Sequence, residues 1–254
     1  MFDLSRESNA MAHGDFVWCD LTARRIGDAR KFYGGLLGWQ FQNDVAPDGS
    51  DYLIAYAGSQ IAGLYTMPRK FDEMGMPCFW MSYIEVDSVD EAIDTANKQG
   101  AKVEVGPING ANGSVIALIR DQLGAGFTVI EGQGLAARPD YPKHGEMAWN
   151  DLYVSDAAAV IPLYQSMFGW EFAQANGSGH TYDVANNGVV CSTVHQSPES
   201  TRGKEQFWGI HFAVDDLAAA RNYVSDNGSI LYEQEGAILV RDGDHTALFM
   251  TGLA

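Results

Sequence analysis

Six tryptophans occur in the chain, and they form three matched pairs: Trp18 with Trp149, Trp39 with Trp170, and Trp80 with Trp208. Their neighbourhoods match as well. Phe16-Val-Trp-Cys-Asp-Leu21 answers to Met147-Ala-Trp-Asn-Asp-Leu152. Phe32-Tyr-Gly-Gly-Leu-Leu-Gly-Trp-Gln-Phe41 answers to Leu163-Tyr-Gln-Ser-Met-Phe-Gly-Trp-Glu-Phe172. The offset is 131 residues throughout, as from Trp18 to Trp149. Further on, Phe79-Trp80 with Val86-Asp87 matches Phe207-Trp208 with Val214-Asp215 at an offset of 128, which Gly100 and Gly228 keep. Arg120-Asp121 and Arg241-Asp242 close the correspondence. A period of domain length means a duplicated domain and not a solenoid of short repeats.

Each repeat divides again. Phe16 to Leu21 alternates as a strand does. Asp28 to Leu37 carries Ala29, Phe32, Tyr33, Leu36 and Leu37 at helical spacing, and Gly38 is a natural helix stop. Tyr52–Tyr56 and Gln60–Thr66 read as strands around a Gly58-Ser59 turn. Residues 78–131 repeat that order, with a helix at Val89–Gln99. The second repeat does the same, with helices at Ala157–Phe168 and Leu217–Asn227. Four β-α-β-β-β modules result, an α+β fold. The expected plan is a tail over residues 1–13, a domain over 14–131, a linker over 132–145 and a domain over 146–254. Glycines, prolines and the lack of a period mark 132–145 as a surface linker.

The totals narrow the function classes. Hydrophobic residues make up 46% of the chain, enough for ordinary cores. Thirty-three acidic against 16 basic residues leave a net charge of -17, which repels phosphate backbones and anionic lipid. The expected partner is therefore a small molecule, with no nucleic acid and no membrane. No apolar run reaches the length of a membrane span, and the N-terminal residues lack a signal pattern. Cys19, Cys78 and Cys191 include no CxxC, which fits reduced, buried thiols in a cytoplasmic protein. Gly132-x-Gly-x-x-Ala137 resembles a dinucleotide fingerprint, but Arg138-Pro139 stands where its helix should run.

Paired modules whose first helix ends in Phe/Leu-Tyr-x-x-Leu/Met-Leu/Phe-Gly-Trp-x-Phe resemble the vicinal oxygen chelate superfamily. That group holds glyoxalase I, bleomycin and fosfomycin resistance proteins and extradiol dioxygenases. The resemblance covers about residues 14–254 and implies two glyoxalase-like domains, each a curved mixed sheet forming a cup. It also implies a divalent metal held by a His or Gln on the first strand of a module and a Glu on its last. At those positions this chain has Trp18, Trp149, Met81 and Gly209, then residues near Ala62–Leu64 and Val190–Ser192, Thr128 and Phe249. Indole, thioether and phenyl do not ligate a hard divalent ion. The expectation is no metal and no other cofactor.

The candidate site residues follow from strand faces. Trp18 and Trp149 would form aromatic walls. Asp20 and Asp151, two residues on, share those faces and suit a general base. His195 and His211 suit proton transfer, with Tyr65 and Tyr83 at the matching places of the first repeat. Ligand contacts are expected from Trp18, Tyr65, Met81, Tyr83, Thr128, Trp149 and Phe249. His13 and His144 read as tail and loop residues. Met67, Met74, Met76 and Met81 suit either a flap or packing between modules. The function expected is binding of a small oxygenated or aromatic molecule by a metal-independent lyase or isomerase. A sequestering protein without catalysis is the alternative. A metal-dependent glyoxalase or dioxygenase, with ligands elsewhere in register, is the third. Duplication within one chain favours a monomer.

Overall fold

A computed structural model describes residues 11–253, apart from 47–48, 111–112, 133–134, 176–178, 205 and 235. Residues 1–10 of the expected tail and 133–134 of the expected linker thus lie outside the described residues.

All four modules are present. The first is β1 (Phe16–Ala23), α1 (Ile26–Leu37), β2 (Gln40–Val45), β3 (Asp51–Tyr56) and β4 (Gln60–Thr66). A five-residue helix, α2 (Arg69–Glu73), leads to the second: β5 (Phe79–Glu85), α3 (Val89–Lys98), β6 (Lys102–Asn109), β7 (Val115–Arg120) and β8 (Gly126–Glu131). The third is β9 (Met147–Val154), α4 (Ala157–Phe168), β10 (Glu171–Gln174), β11 (Thr181–Asn186) and β12 (Val189–Gln196). The fourth is β13 (Phe207–Val214), α5 (Leu217–Asn227), β14 (Ser229–Gln234), β15 (Ala237–Arg241) and β16 (Ala247–Gly252). In each module the last three strands form an antiparallel meander, and the first strand lies parallel beside the last. Each repeat supplies one eight-stranded mixed sheet, ordered β2-β3-β4-β1-β5-β8-β7-β6 in the first and β10-β11-β12-β9-β13-β16-β15-β14 in the second. The helix crossover after each first strand makes that parallel pairing possible, since parallel strands need a long connection.

Packing groups the modules differently from the repeat. Of the described residues, one compact unit, here unit A, holds 11–17, 82–140 and 149–209. The other, unit B, holds 18–81, 141–148 and 210–254. Unit A thus joins most of the second and third modules, and unit B most of the first and fourth. Helices α3 and α4 pack together in unit A, and α1 and α5 in unit B.

Each core is built on a matched aromatic cluster with its polar atoms satisfied. In unit A, Trp208 Nε1 donates to Tyr164 OH at 3.1 Å, and Tyr164 OH donates to Asp121 Oδ2 at 3.1 Å. In unit B, Trp80 Nε1 donates to Tyr33 OH at 3.1 Å, and Tyr33 OH to Asp242 Oδ2 at 2.9 Å. The other carboxylate oxygen closes a turn: Asp121 Oδ1 accepts from the amides of Leu123, Gly124 and Ala125, and Asp242 Oδ1 from those of Asp244 and Thr246. Buried phenols and indoles need such partners. Burial pushes both tyrosines well above the ordinary phenol range. Trp39 and Trp170 join these clusters by donating to the carbonyls of Gly145 and Gly14; Trp18 is buried as well, so five of the six tryptophans are core residues and Trp149 is half-buried.

Two expectations change here. His13 is tied into unit A: its Nδ1 accepts from the Asp87 amide at 3.1 Å, and its Nε2 lies 2.9 Å from the Met167 carbonyl. His144 Nδ1 accepts from the Asp215 amide at 3.2 Å in unit B. The expected surface linker is also partly packed. Ala137 is buried, and the Arg138 amide donates to the Phe16 carbonyl. Among the described residues no helix begins between Gly132 and β9, in line with a linker and not a dinucleotide fingerprint.

Candidate functional site

The two first strands that carry the matched Trp-x-Asp motif present different chemistry. In unit A, Trp149, Asp151 and Tyr153 follow the two-residue period of β9 onto one face. Strand β12 runs parallel beside it and places Thr193 opposite Asp151 and His195 opposite Tyr153. Both strands end one residue past Tyr153 and His195. The carboxyl ends of parallel strands are common positions for functional groups.

Asp151 is buried, and its Oδ2 lies 3.4 Å from His195 Nε2 and 3.5 Å from Tyr153 OH. The His195 ring stacks on Tyr153 with centroids 4.8 Å apart and planes 14° apart. Tyr153 in turn stacks on Phe207, at 5.0 Å and 20°. Trp149 Nε1 donates to Thr193 Oγ1 at 3.1 Å. The Arg138 guanidinium covers the Trp149 ring at 4.7 Å, where the ring quadrupole attracts a cation. Arg138 also donates to Asn150 Oδ1 and the Cys191 carbonyl, each at 2.8 Å. Burial lowers its pKa, and the neighbouring Cys191 and Asp151 charges oppose that shift.

In unit B the equivalent carboxylate is closed off. Asp20 Oδ1 accepts from Tyr52 OH at 2.6 Å and from Trp18 Nε1 at 2.8 Å. Gly63 lies opposite Asp20 in the β1–β4 register, and a Cβ there would overlap both the Tyr52 hydroxyl and Asp20 Oδ1. The closed pair needs glycine at that spot. Burial and the Asp20 charge hold Tyr52 well above the phenol range and push Tyr65 up to about 12. These phenols remain donors. Also in unit B, His211 stacks on Phe249 at 4.3 Å and 5°, with its Nδ1 2.9 Å from Thr251 Oγ1.

Among the other expected residues, Tyr83 and buried Thr128 are register partners in unit A, and Met81 is buried in β5. Of the two catalytic histidines expected, His195 belongs to unit A and His211 to unit B. Tyr52, Tyr153, Thr193, Phe207 and Arg138 escaped the sequence reading. Tyr153 continues the Trp149, Asp151 period and was open to detection. Tyr52 and Phe207 reach their partners only through strand register.

The family's metal does not fit these side chains. The Trp18 and Trp149 indoles spend their N–H groups on Asp20 and Thr193, and indole offers no lone pair to an ion. Asp151 and His195 are two donors, and no group of three or more His, Cys, Asp or Glu converges among the described residues. Among those residues no helix is long and apolar enough to cross a membrane.

Comparison with known proteins gives a consistent result. The sequence model of the glyoxalase/bleomycin resistance protein/dioxygenase superfamily matches residues 15–129 and 146–245. Proteins of Mycobacterium bovis and Mycobacterium tuberculosis named "Putative glyoxylase CFP32" are 26% identical over 220 residues, 85% of this chain and 84% of theirs. Among solved structures, a variant of homoprotocatechuate 2,3-dioxygenase from B. fuscum in complex with HPCA superposes with a TM-score of 0.63 at 12% identity, covering 97% of this chain and 73% of that one. The Mn(II)-bound glyoxalase from Novosphingobium aromaticivorans does so at 0.63 and 12%, covering 96% and 83%. These structural likenesses establish the fold.

Proposed function

The chain belongs to the glyoxalase/bleomycin resistance protein/dioxygenase superfamily, and from that premise we propose that its second repeat acts on a small oxygenated organic molecule as a metal-independent lyase or isomerase. The observation that carries this reading is the Asp151–His195 pair, at 3.4 Å. The 3.4 Å contact is an ion-pair distance; in this reading the carboxylate, which can only accept, draws the imidazole hydrogen to Nε2. Nδ1 then holds the lone pair and serves as the base. It takes a proton from the carbon beside a substrate carbonyl, and Asp151 offsets the charge of the resulting imidazolium. Return of the proton to the neighbouring carbon isomerises the substrate without an external oxidant or reductant. Trp149 gives the substrate an apolar wall. Tyr83 and Thr128 belong to the same reading as ligand contacts.

The first repeat serves as a binding scaffold in this reading. Asp20 is held by two close donors, and Trp18, Tyr65 and Met81 supply contact surface. In the second repeat, unit B holds His211 as a further candidate for proton transfer and Phe249 for ligand contact. That closed carboxylate is also what favours a sequestering role without turnover for the first repeat. The partner is a small molecule and the working state a monomer.

The test is solvent-deuterium exchange into a panel of α-oxoaldehydes, their thiol adducts and α-hydroxyketones, followed by NMR. Wild type is expected to exchange the carbon-bound proton of at least one of them. Asp151→Asn and His195→Gln are each expected to slow exchange by about 100-fold or more, and Asp20→Asn to leave it within a few-fold. Unchanged exchange in the Asp151 and His195 variants would sink the reading.

A further inference from the structure

Three rings stand face to face on adjacent strands of unit A: Phe207 on β13, Tyr153 on β9 and His195 on β12. They lie near one plane orientation, with successive angles of 20° and 14°. The first repeat has no such row. Its matching positions are Phe79, Thr22 and Tyr65, and Thr22 pairs with Tyr65 in the register that Tyr153 shares with His195. A small β-branched residue therefore stands where the second repeat has its middle ring.

We infer that Tyr153, backed by Phe207, is a positioning residue that fixes the plane of the His195 imidazole and so keeps its Nε2 toward Asp151. This rests on the reading of Asp151 and His195 as the proton-transfer pair. The χ2 torsion of a histidine is broad, with no sharp wells of its own. One contact of 3.4 Å to a carboxylate does not hold such a ring in place. A stacked neighbour removes the rotation out of plane. Asp151 then selects, of the two in-plane orientations, the one that brings a nitrogen rather than Cε1 to its oxygen. The two constraints together leave one tautomer, with hydrogen on Nε2 and the base at Nδ1. Tyr153 is itself kept from tilting because Phe207, 37% exposed, covers its other face. The Tyr153 hydroxyl, 3.5 Å from Asp151 Oδ2, is secondary to the ring.

The experiment is long-range proton–nitrogen NMR on the full chain labelled with ¹⁵N-histidine, at pH 9, with the His195 signals assigned from His195→Gln. Wild type and Tyr153→Phe are expected to show the Nε2–H tautomer in at least tenfold excess. Tyr153→Leu is expected to reduce that excess at least fivefold, and Phe207→Leu to reduce it less, in the same direction. A Tyr153→Leu protein with the wild-type tautomer ratio would overturn the inference. Loss of the preference in Tyr153→Phe would also overturn it, since the hydroxyl and not the ring would then be responsible. If Tyr153→Leu does not fold, the half-exposed Phe207 decides: an unchanged ratio in Phe207→Leu rejects the proposal. The readout needs no substrate. Failure of the isomerase reading appears instead as full exchange activity in His195→Gln, which leaves the tautomer result standing.

Discussion

Glu85 ends β5, and among the described residues the amide of Gly132 donates to its Oε1 at 2.9 Å. Its Oε2 is buried without a hydrogen bond. Burial raises its pKa to about 7, the Gly132 bond opposes this, and the charges of Asp87, Asp15 and Glu131 add to it. The folded state therefore binds a proton more tightly than the unfolded chain, whose glutamates titrate near 4.5. By linkage, this term stabilises the fold fully below about pH 4.5 and is lost as pH rises through about 7. Asp121 and Asp242, raised chiefly by burial, act in the same direction. Glu85→Gln removes the cost of charging this group while keeping an acceptor for Gly132. Denaturant titrations should find the variant more stable than wild type at pH 8, by roughly 2 kcal/mol, and within error of it near pH 4.5. A constant difference across that range would disprove the assignment. At this scale the sequence was partly legible. Trp18, Asp20, Trp149 and Asp151 lie on first strands as expected, Trp18 and Asp20 sharing a face, and His195 lies at the end of β12. The closing of Asp20 by Tyr52 was not legible, because it depends on which residue of a neighbouring strand falls opposite Gly63, and one sequence does not fix that register.

Among the elements, helices and strands came out close to their sequence patterns, since period and turn residues are local signals. The segments before the first strands did not. His13-Gly14 and His144-Gly145 keep the 131-residue offset of the repeat, so the signal was present where the expected tail meets the first domain and where the expected linker ends. Each glycine amide donates to a strand carbonyl, Gly14 to Glu85 and Gly145 to Ala213. Each glycine carbonyl accepts a buried indole. Gly14 has φ +83, and a Cβ there would lie 2.9 Å from Trp170 Nε1. Gly49 has the same φ, and none of the described residues lies within 4 Å of a Cβ built there. The pair separates backbone strain from steric overlap. Gly49→Ala should cost about 1 kcal/mol, the strain of a left-handed residue. Gly14→Ala should cost about 3 kcal/mol or more, because the indole–carbonyl bond must shift as well. Thermal or chemical denaturation of the two variants compares them directly, and equal losses would show that the close approach carries no weight.

For the whole molecule, the sequence repeat and the packing units divide the chain along different lines. The repeat is visible in sequence because duplicated modules keep their tryptophans. The packing is not, because nothing in one sequence says whether module two buries its helix face against module one or module three. In unit A the α3 face packs on α4, and in unit B α1 packs on α5. A fragment that ends at residue 140 would keep α1 and α3 but lose both α4 and α5. Each remaining helix would lose its helix partner and expose the side chains packed on it, such as Phe32 on α1, whose ring lies 5.9 Å from that of Tyr223 on α5. Such a fragment can bury both faces without its missing half by pairing with a second copy. Residues 1–140 expressed alone should therefore be dimeric or aggregated in analytical ultracentrifugation, and no folded monomer should appear. Co-expression with residues 141–254 should restore a one-to-one complex of the mass of the full chain. A monomeric 1–140 fragment with a cooperative melt would show that each repeat folds by itself, and would put the burial of these helix faces in the second rank of what holds the protein together.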